Sequence, residues 1–140
     1  MTQVIIYQNP NALNVCVCVP TGDVPIQNVL ATCPAGAQIV DNSTLPQGDD
    51  FTLFFDAWRL NGSTITIDIV AAQADYLAIY NSNAVSSGQI RTNNTYAGIA
   101  NVPNDATWIS AVNAGRTSIA SATTTAELVA IPLPTPTTGA

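Results

Sequence analysis

The apolar pattern of this chain changes period at Asp68, and one regular element cannot satisfy both halves. Upstream, "AWRL" (57–60) and "STITID" (63–68) flank Asn61-Gly62. Successive side chains leave a strand on opposite faces, so apolar residues two apart mark a half-buried strand. Asn-Gly tolerates the positive φ of a tight type I′ turn better than other dipeptides. The two runs are therefore predicted to pair as an antiparallel hairpin, with Trp58 and Leu60 facing Ile65 and Ile67. Downstream, in "DIVAAQADYLAIYNSNAV", Ile69, Ala72, Tyr76, Ile79 and Tyr80 fall on one helical stripe, with Asp68 placed to cap it.

The first third of the chain continues the strand pattern. "VIIY" (4–7) and "VCVCV" (15–19) are β-rich runs separated by the Asn/Pro-rich turn 8–14, so they are expected to form another antiparallel hairpin. "PTGD" (20–23) ends it. Pro25 is then expected at the first position of a short helix through Cys33, with Ile26, Val29 and Leu30 at helical spacing. A Pro-Ala-Gly turn at 34–36 leads into a short strand at 38–40 and a loop at 41–46.

Cys16 and Cys18 lie on one face of the second strand, with Val15, Val17 and Val19 on the other. Same-face neighbours on a strand are about 7 Å apart with parallel Cβ vectors, a poor disulfide geometry. Zinc takes four ligands, commonly from CxxC pairs or with histidine. Three cysteines in a chain without histidine do not supply them. They are expected to be free thiols that pack as small apolar side chains.

The helical part is expected to include a second helix, capped by Asn104 or Asp105, with Trp108, Ile109, Val112, Arg116 and Ile119 at helical spacing. A short last helix follows at 123–131, where Thr124 and Glu127 have capping-box spacing. The first helix can continue through 86–100, although Gly88 and Asn93-Asn94 weaken that extension. The expected class is α+β: a small antiparallel β-rich unit over 1–67, a helical-hairpin-like unit over 68–131, and an extended, mobile Pro/Thr-rich tail over 132–140.

Composition removes several function classes. Lys and Arg total three, Asp and Glu nine, and the formal net charge is -6. The basic residues are Arg59, Arg91 and Arg116, too few and too scattered for a phosphate-neutralising stripe, so no nucleic acid is expected as partner. No membrane partner is expected either: there is no polybasic anchor and no run of roughly 18 apolar residues. The opening residues lack the charged n-region and apolar h-region of a signal peptide, so a soluble protein made in a cytoplasm is expected. Without histidine or lysine there is no Ser-His-Asp triad, Schiff base or P-loop lysine. A hydrolase built from carboxylates alone would need a paired motif that the nine acids do not form. No catalytic residue, cofactor or metal is expected.

The order of "VIIYQNP", "VCVCVPTGDVPI", "CPAGAQIVDNSTLP" and "FFDAWRLNGSTITIDIVAAQ", with "ATWISAVNAGRTSIASATTTAELVAI" near the end, resembles a family of small tailed-bacteriophage proteins encoded beside tail-fibre genes. The resemblance spans nearly the whole chain, and the combination of Pro34-Ala35-Gly36 with Asp56-Ala57-Trp58 carries it. It implies a non-enzymatic tail-fibre assembly chaperone acting in the host cytoplasm. Its partner would be a trimeric fibre, bound at the C-terminal tip by up to three chaperone chains. The alternative is a structural component retained in the virion tail. Trp58 reads first as a core anchor. Tyr76, Ile79, Tyr80, Trp108 and Ile109 form a stripe more apolar than a two-helix hairpin is expected to bury, and are the candidate partner-binding residues. The alternative for Tyr76, Tyr80 and Trp108 is that they pack the two helices together.

Overall fold

A computed structural model describes residues 2–139. The chain is α+β and divides into two compact units, the first ending at Ala72 and the second beginning at Gln73. The division falls after the first turn of a helix rather than at Ile67, and residues 132–139 belong to the second unit.

In the first unit, β1 (Gln3–Gln8) lies between β2 (Val15–Cys18) and β3 (Gln38–Asp41), antiparallel to both. The registers Ile6↔Val17, Gln8↔Val15 and Val4↔Val40 put Val4, Ile6, Val15, Val17 and Val40 on one face. That face packs with Leu45, Phe55, Trp58, Leu60, Ile65 and Ile67 into the core of the unit. The opposite face carries Ile5, Tyr7, Cys16, Cys18 and Ile39. Ile5 is fully buried, so β1 is covered on both sides. All three cysteines are free and half-buried. Tyr7 lies opposite Cys16 in the register. Its hydroxyl is pushed above the ordinary tyrosine value, first by desolvation and then by the neighbouring Cys16 and Cys33 thiols.

The predicted hairpin forms as β4 (Trp58–Asn61) and β5 (Thr64–Ile67), with Trp58 opposite Ile67 and Leu60 opposite Ile65. Its turn differs from expectation. The Asn61↔Thr64 pair leaves Gly62 and Ser63 as the central residues, and only Gly62 has positive φ (64°). Glycine first with a negative-φ second residue is the pattern of a II′ turn, not I′. Gly62→Val should therefore destabilise this unit by about 1–3 kcal/mol, because a β-branched residue resists positive φ. Chemical denaturation followed by Trp58 fluorescence checks it; an unchanged midpoint would remove the turn's strain from the argument.

Two further differences have local causes. Pro25 caps α1 (Ile26–Leu30) from an extended conformation (ψ 139°) instead of forming its first turn. Residues 49–57 carry no strand or helix period in the sequence. They contain α2 (Asp49–Thr52), with Asp49 and Asp50 at the positive end of its dipole, and a 3-10 turn at Phe55–Ala57. A second 3-10 turn, Asn42–Thr44, is capped by Asp41, whose carboxylate accepts from the Ser43 N–H at 2.8 Å. The hydrogen bonds from Ser43 hold that carboxyl below its usual value.

Helix α3 (Ile69–Tyr96) starts where expected: Asp68 Oδ1 accepts from the N–H groups of Val70 and Ala71 at 3.0 and 3.3 Å. It continues through Gly88 and the asparagine pair to Tyr96. The second unit then turns into α4 (Asp105–Ser121), capped by Asn104, whose side chain accepts from Thr107 N–H at 3.0 Å. Contacts between residues 73 and 122, 80 and 112, and 91 and 105 make α3 and α4 antiparallel. Between them Tyr80 meets Val112 and Gly115, and Arg91 meets Asp105 and Trp108; Tyr76, Ala84 and Ser87 on α3 and Ile119 on α4 are buried as well. The last helix, α5 (Thr125–Val129), has Thr124 as its cap; Glu127 reaches back one residue further than a capping box requires, to Thr123 N–H at 2.7 Å.

Residues 132–139 do not form the mobile tail expected from their composition. They lie against α3 and α4, with Pro134 buried and their backbone held by side chains of both helices.

Candidate functional site

The exposed face of the second unit is grooved where the C-terminal half of α3 passes the N-terminal half of α4. The groove encloses about 780 Å³ and is lined by Val85, Gly88, Thr92 and Tyr96 from α3 and by Trp108 and Ile109 from α4. It continues into a smaller depression of about 200 Å³ bordered by Ala84, Val112 and Arg116. The Trp108 ring passes beside Gly88, at a distance where an added Cβ would make ordinary van der Waals contact with it (3.6 Å).

The groove walls are apolar and wet. Val85, Ile109 and Tyr96 are 62%, 53% and 88% exposed, well above what a closed core leaves accessible. Below them the Arg91 guanidinium sits 5.2 Å from the Trp108 ring centroid, in cation–π contact. Its side chain is only 4% exposed, and burying a cation is costly unless it is paired and hydrogen-bonded. Arg91 is both: it donates to the carbonyls of Pro103 (2.7 Å) and Pro136 (2.6 Å) and to Asp105 Oδ1 (2.9 Å). Arg91 and Asp105 are the ionisable side chains of the larger groove apart from Tyr96, and they neutralise each other. The arrangement suits burial of an apolar surface.

The five residues expected on one partner-facing stripe do not share a face. Tyr76 and Tyr80 point inward, as the packing alternative for both has it. Tyr80 is fully buried and its hydroxyl donates to the Val112 carbonyl at 3.0 Å; the Tyr76 hydroxyl donates to the Ile131 carbonyl. Desolvation pushes both hydroxyls above the ordinary tyrosine value. A raised folded-state value means their contribution to stability is complete below the unfolded value, about 10, and is lost as pH rises through the raised ones. Ile79 is half-buried and lies outside the groove. Trp108 and Ile109 do line it.

Compared with known proteins, the chain matches no family model, no curated protein and no solved structure. Among the described residues, no group of three or more Cys, Asp or Glu side chains is placed to hold a metal ion, and no helix is long and apolar enough to cross a membrane.

Sequence reasoning missed Val85, Gly88, Arg91 and Tyr96. Once α3 is allowed to run past Gly88, Val85, Gly88 and Thr92 fall at i, i+3 and i+7, and Tyr96 at i+11, on a continuous stripe. The signal is present in the sequence, but Gly88 and Asn93-Asn94 weaken the case for the helix that would display it.

Proposed function

We propose that the protein is a non-enzymatic assembly chaperone for a phage tail fibre, and that the groove between α3 and α4 receives an apolar segment of the fibre before its three chains register. The observation that carries this reading is an open groove with Val85, Tyr96 and Ile109 left accessible over a fixed tryptophan. Exposed apolar residues concentrated at one concave site mark an interaction surface, whereas scattered ones do not. Unassembled fibre tips expose apolar edges of β-structure that aggregate unless they are covered. A groove walled by valine, isoleucine and aromatic residues, with a neutral rim of Gln89, Thr92 and Asn93, matches that need. The identity of the partner rests on the sequence resemblance, and a trimeric fibre would present three equivalent segments to three chaperone chains.

Co-expression with the neighbouring fibre gene tests it. The intact chain should raise the yield of soluble fibre and co-purify with it. Ile109→Asp and Val85→Asp alter exposed positions and should leave the fold intact. Each should weaken fibre binding by about 2 kcal/mol, roughly 30-fold, as loss of an interface anchor does. Variants that solubilise fibre as well as the intact chain would move the contact elsewhere. An intact chain that does not bind fibre would refute the chaperone reading. Stoichiometric retention in purified particles would assign the protein to the virion instead.

A further inference from the structure

Residues 131–136, Ile-Pro-Leu-Pro-Thr-Pro, alternate proline with residues that precede proline. Proline fixes its own φ and drives the preceding residue to extended conformations, so this run is a preformed polyproline-type segment. Every second position lacks an N–H, so the segment cannot pair as a strand, and its carbonyls need donors from elsewhere.

Four side chains from two helices supply them. The Tyr76 hydroxyl donates to the Ile131 carbonyl, Ser87 Oγ to Pro134 at 3.0 Å, Trp108 Nε1 to Thr135 at 2.8 Å, and Arg91 to Pro136 at 2.6 Å. The segment ends in a turn in which Gly139 N–H bonds back to the Thr135 carbonyl at 3.2 Å. Gly139 has φ 70°, and a Cβ there would approach the Trp108 carbonyl to 2.8 Å, so the close seat admits only glycine.

The geometry points to a binding cleft for an extended proline-rich peptide, built from Tyr76, Ser87, Arg91 and Trp108, which the chain's own C-terminal segment occupies in cis and the same segment supplied in trans can occupy in its place. Aromatic and polar donors reading the carbonyls of a stiff proline-rich segment is a general mode of peptide recognition, favoured because the ligand loses little entropy on binding. Ser87 and Arg91 strengthen the case. Both are buried polar residues on α3, and without the segment Ser87 would lose its acceptor and Arg91 one of three. An emptied cleft would leave these donors to water but still held in position by α3 and α4, so a replacement segment would find its hydrogen-bond donors already placed. The tether opposes exchange, because a covalently linked segment competes at an effective concentration in the millimolar range. This inference does not depend on the identity of the fibre partner.

The test uses a labelled synthetic peptide of residues 131–139, IPLPTPTTG, with binding read by fluorescence anisotropy. The full chain carrying Pro134→Gly and Pro136→Gly keeps both helices but has a slackened tail. It should bind the peptide at least tenfold more tightly than the natural chain does. Adding Trp108→Phe, which keeps an aromatic ring and removes the donor, should weaken that binding severalfold. A peptide with all three prolines replaced by alanine should bind at least tenfold more weakly. Failure of the slackened variant to bind, or equal binding of the alanine peptide, overturns the proposal. A measurement on the unaltered chain stands apart from the variant's folding: the Trp108 indole N–H should exchange with solvent much more slowly than a free indole. Exchange at the free-indole rate overturns the proposal irrespective of the peptide results.

Discussion

Trp58→Ala is expected to destabilise the first unit by about 3–5 kcal/mol, the cost typical of emptying a buried tryptophan site. The side chain is fully buried between the sheet core and the aromatic turn, with the Phe55 ring 4.8 Å and the Phe51 ring 6.0 Å from its own. Its indole N–H donates to the Asp50 carbonyl at 2.9 Å, tying α2 to the hairpin. Alanine would leave both a cavity and an unpaired carbonyl. Trp58→Phe fills part of the cavity but not the hydrogen bond, and should cost roughly 1–3 kcal/mol. Amide hydrogen exchange at β1 reads the effect where it is expected. Protection of Ile5 and Ile6 unchanged in Trp58→Ala would show that the sheet core does not depend on the indole.

Gly115→Ala is expected to reverse the usual sign of such a substitution. In a helix interior, alanine normally gains about 0.5–1 kcal/mol over glycine. Here a Cβ would lie 2.9 Å from Tyr80 Cε2 and overlap the hydroxyl, and Tyr80 cannot swing away because it is fully buried and bonded to Val112. The overpacking should destabilise the second unit by about 1–3 kcal/mol. Tyr80→Phe removes the most intrusive atom. The double variant should therefore lose less than the sum of the two single variants, with a coupling of at least 0.5 kcal/mol. Thermal unfolding followed by helical circular dichroism measures all three proteins. Additive losses would mean that α4 shifts to accommodate the new methyl group, and the close seam would not be a constraint.

The strands and most of the helix starts were legible because local chemistry and burial agree. The alternation in "VCVCV" and "STITI" survives in the registers, and Asp68, Asn104 and Thr124 cap the helices that they were expected to cap. The misread positions are those where a distant contact outweighs a local preference. Gly88 and the asparagine pair disfavour a helix by propensity, but Ser87 and Arg91 are held in the seam by partners distant in sequence. The tail has the composition of a solvated linker, and only the donors of α3 and α4 fix it. The candidate stripe divides for the same reason. Aromatic stripes mark burial, but a stripe alone cannot say whether the chain or a partner does the burying. Tyr76 and Tyr80 are used internally, while Val85 and Tyr96 are left accessible.

The helices carry little charge, and their polar side chains turn back on their own backbone. Thr92 donates to Gly88, Thr95 to Arg91, Thr117 to Asn113, Ser118 to Ala114 and Ser121 to Thr117. The ion pairs among the described residues are Arg59–Asp68 and Arg91–Asp105. A surface of this kind holds few mobile counterions, so a partner that covers it releases few. Its encounters gain little from long-range steering, and its affinity should change little between dilute and physiological buffer. A partner seated on this surface would be selected by shape and dehydration more than by charge.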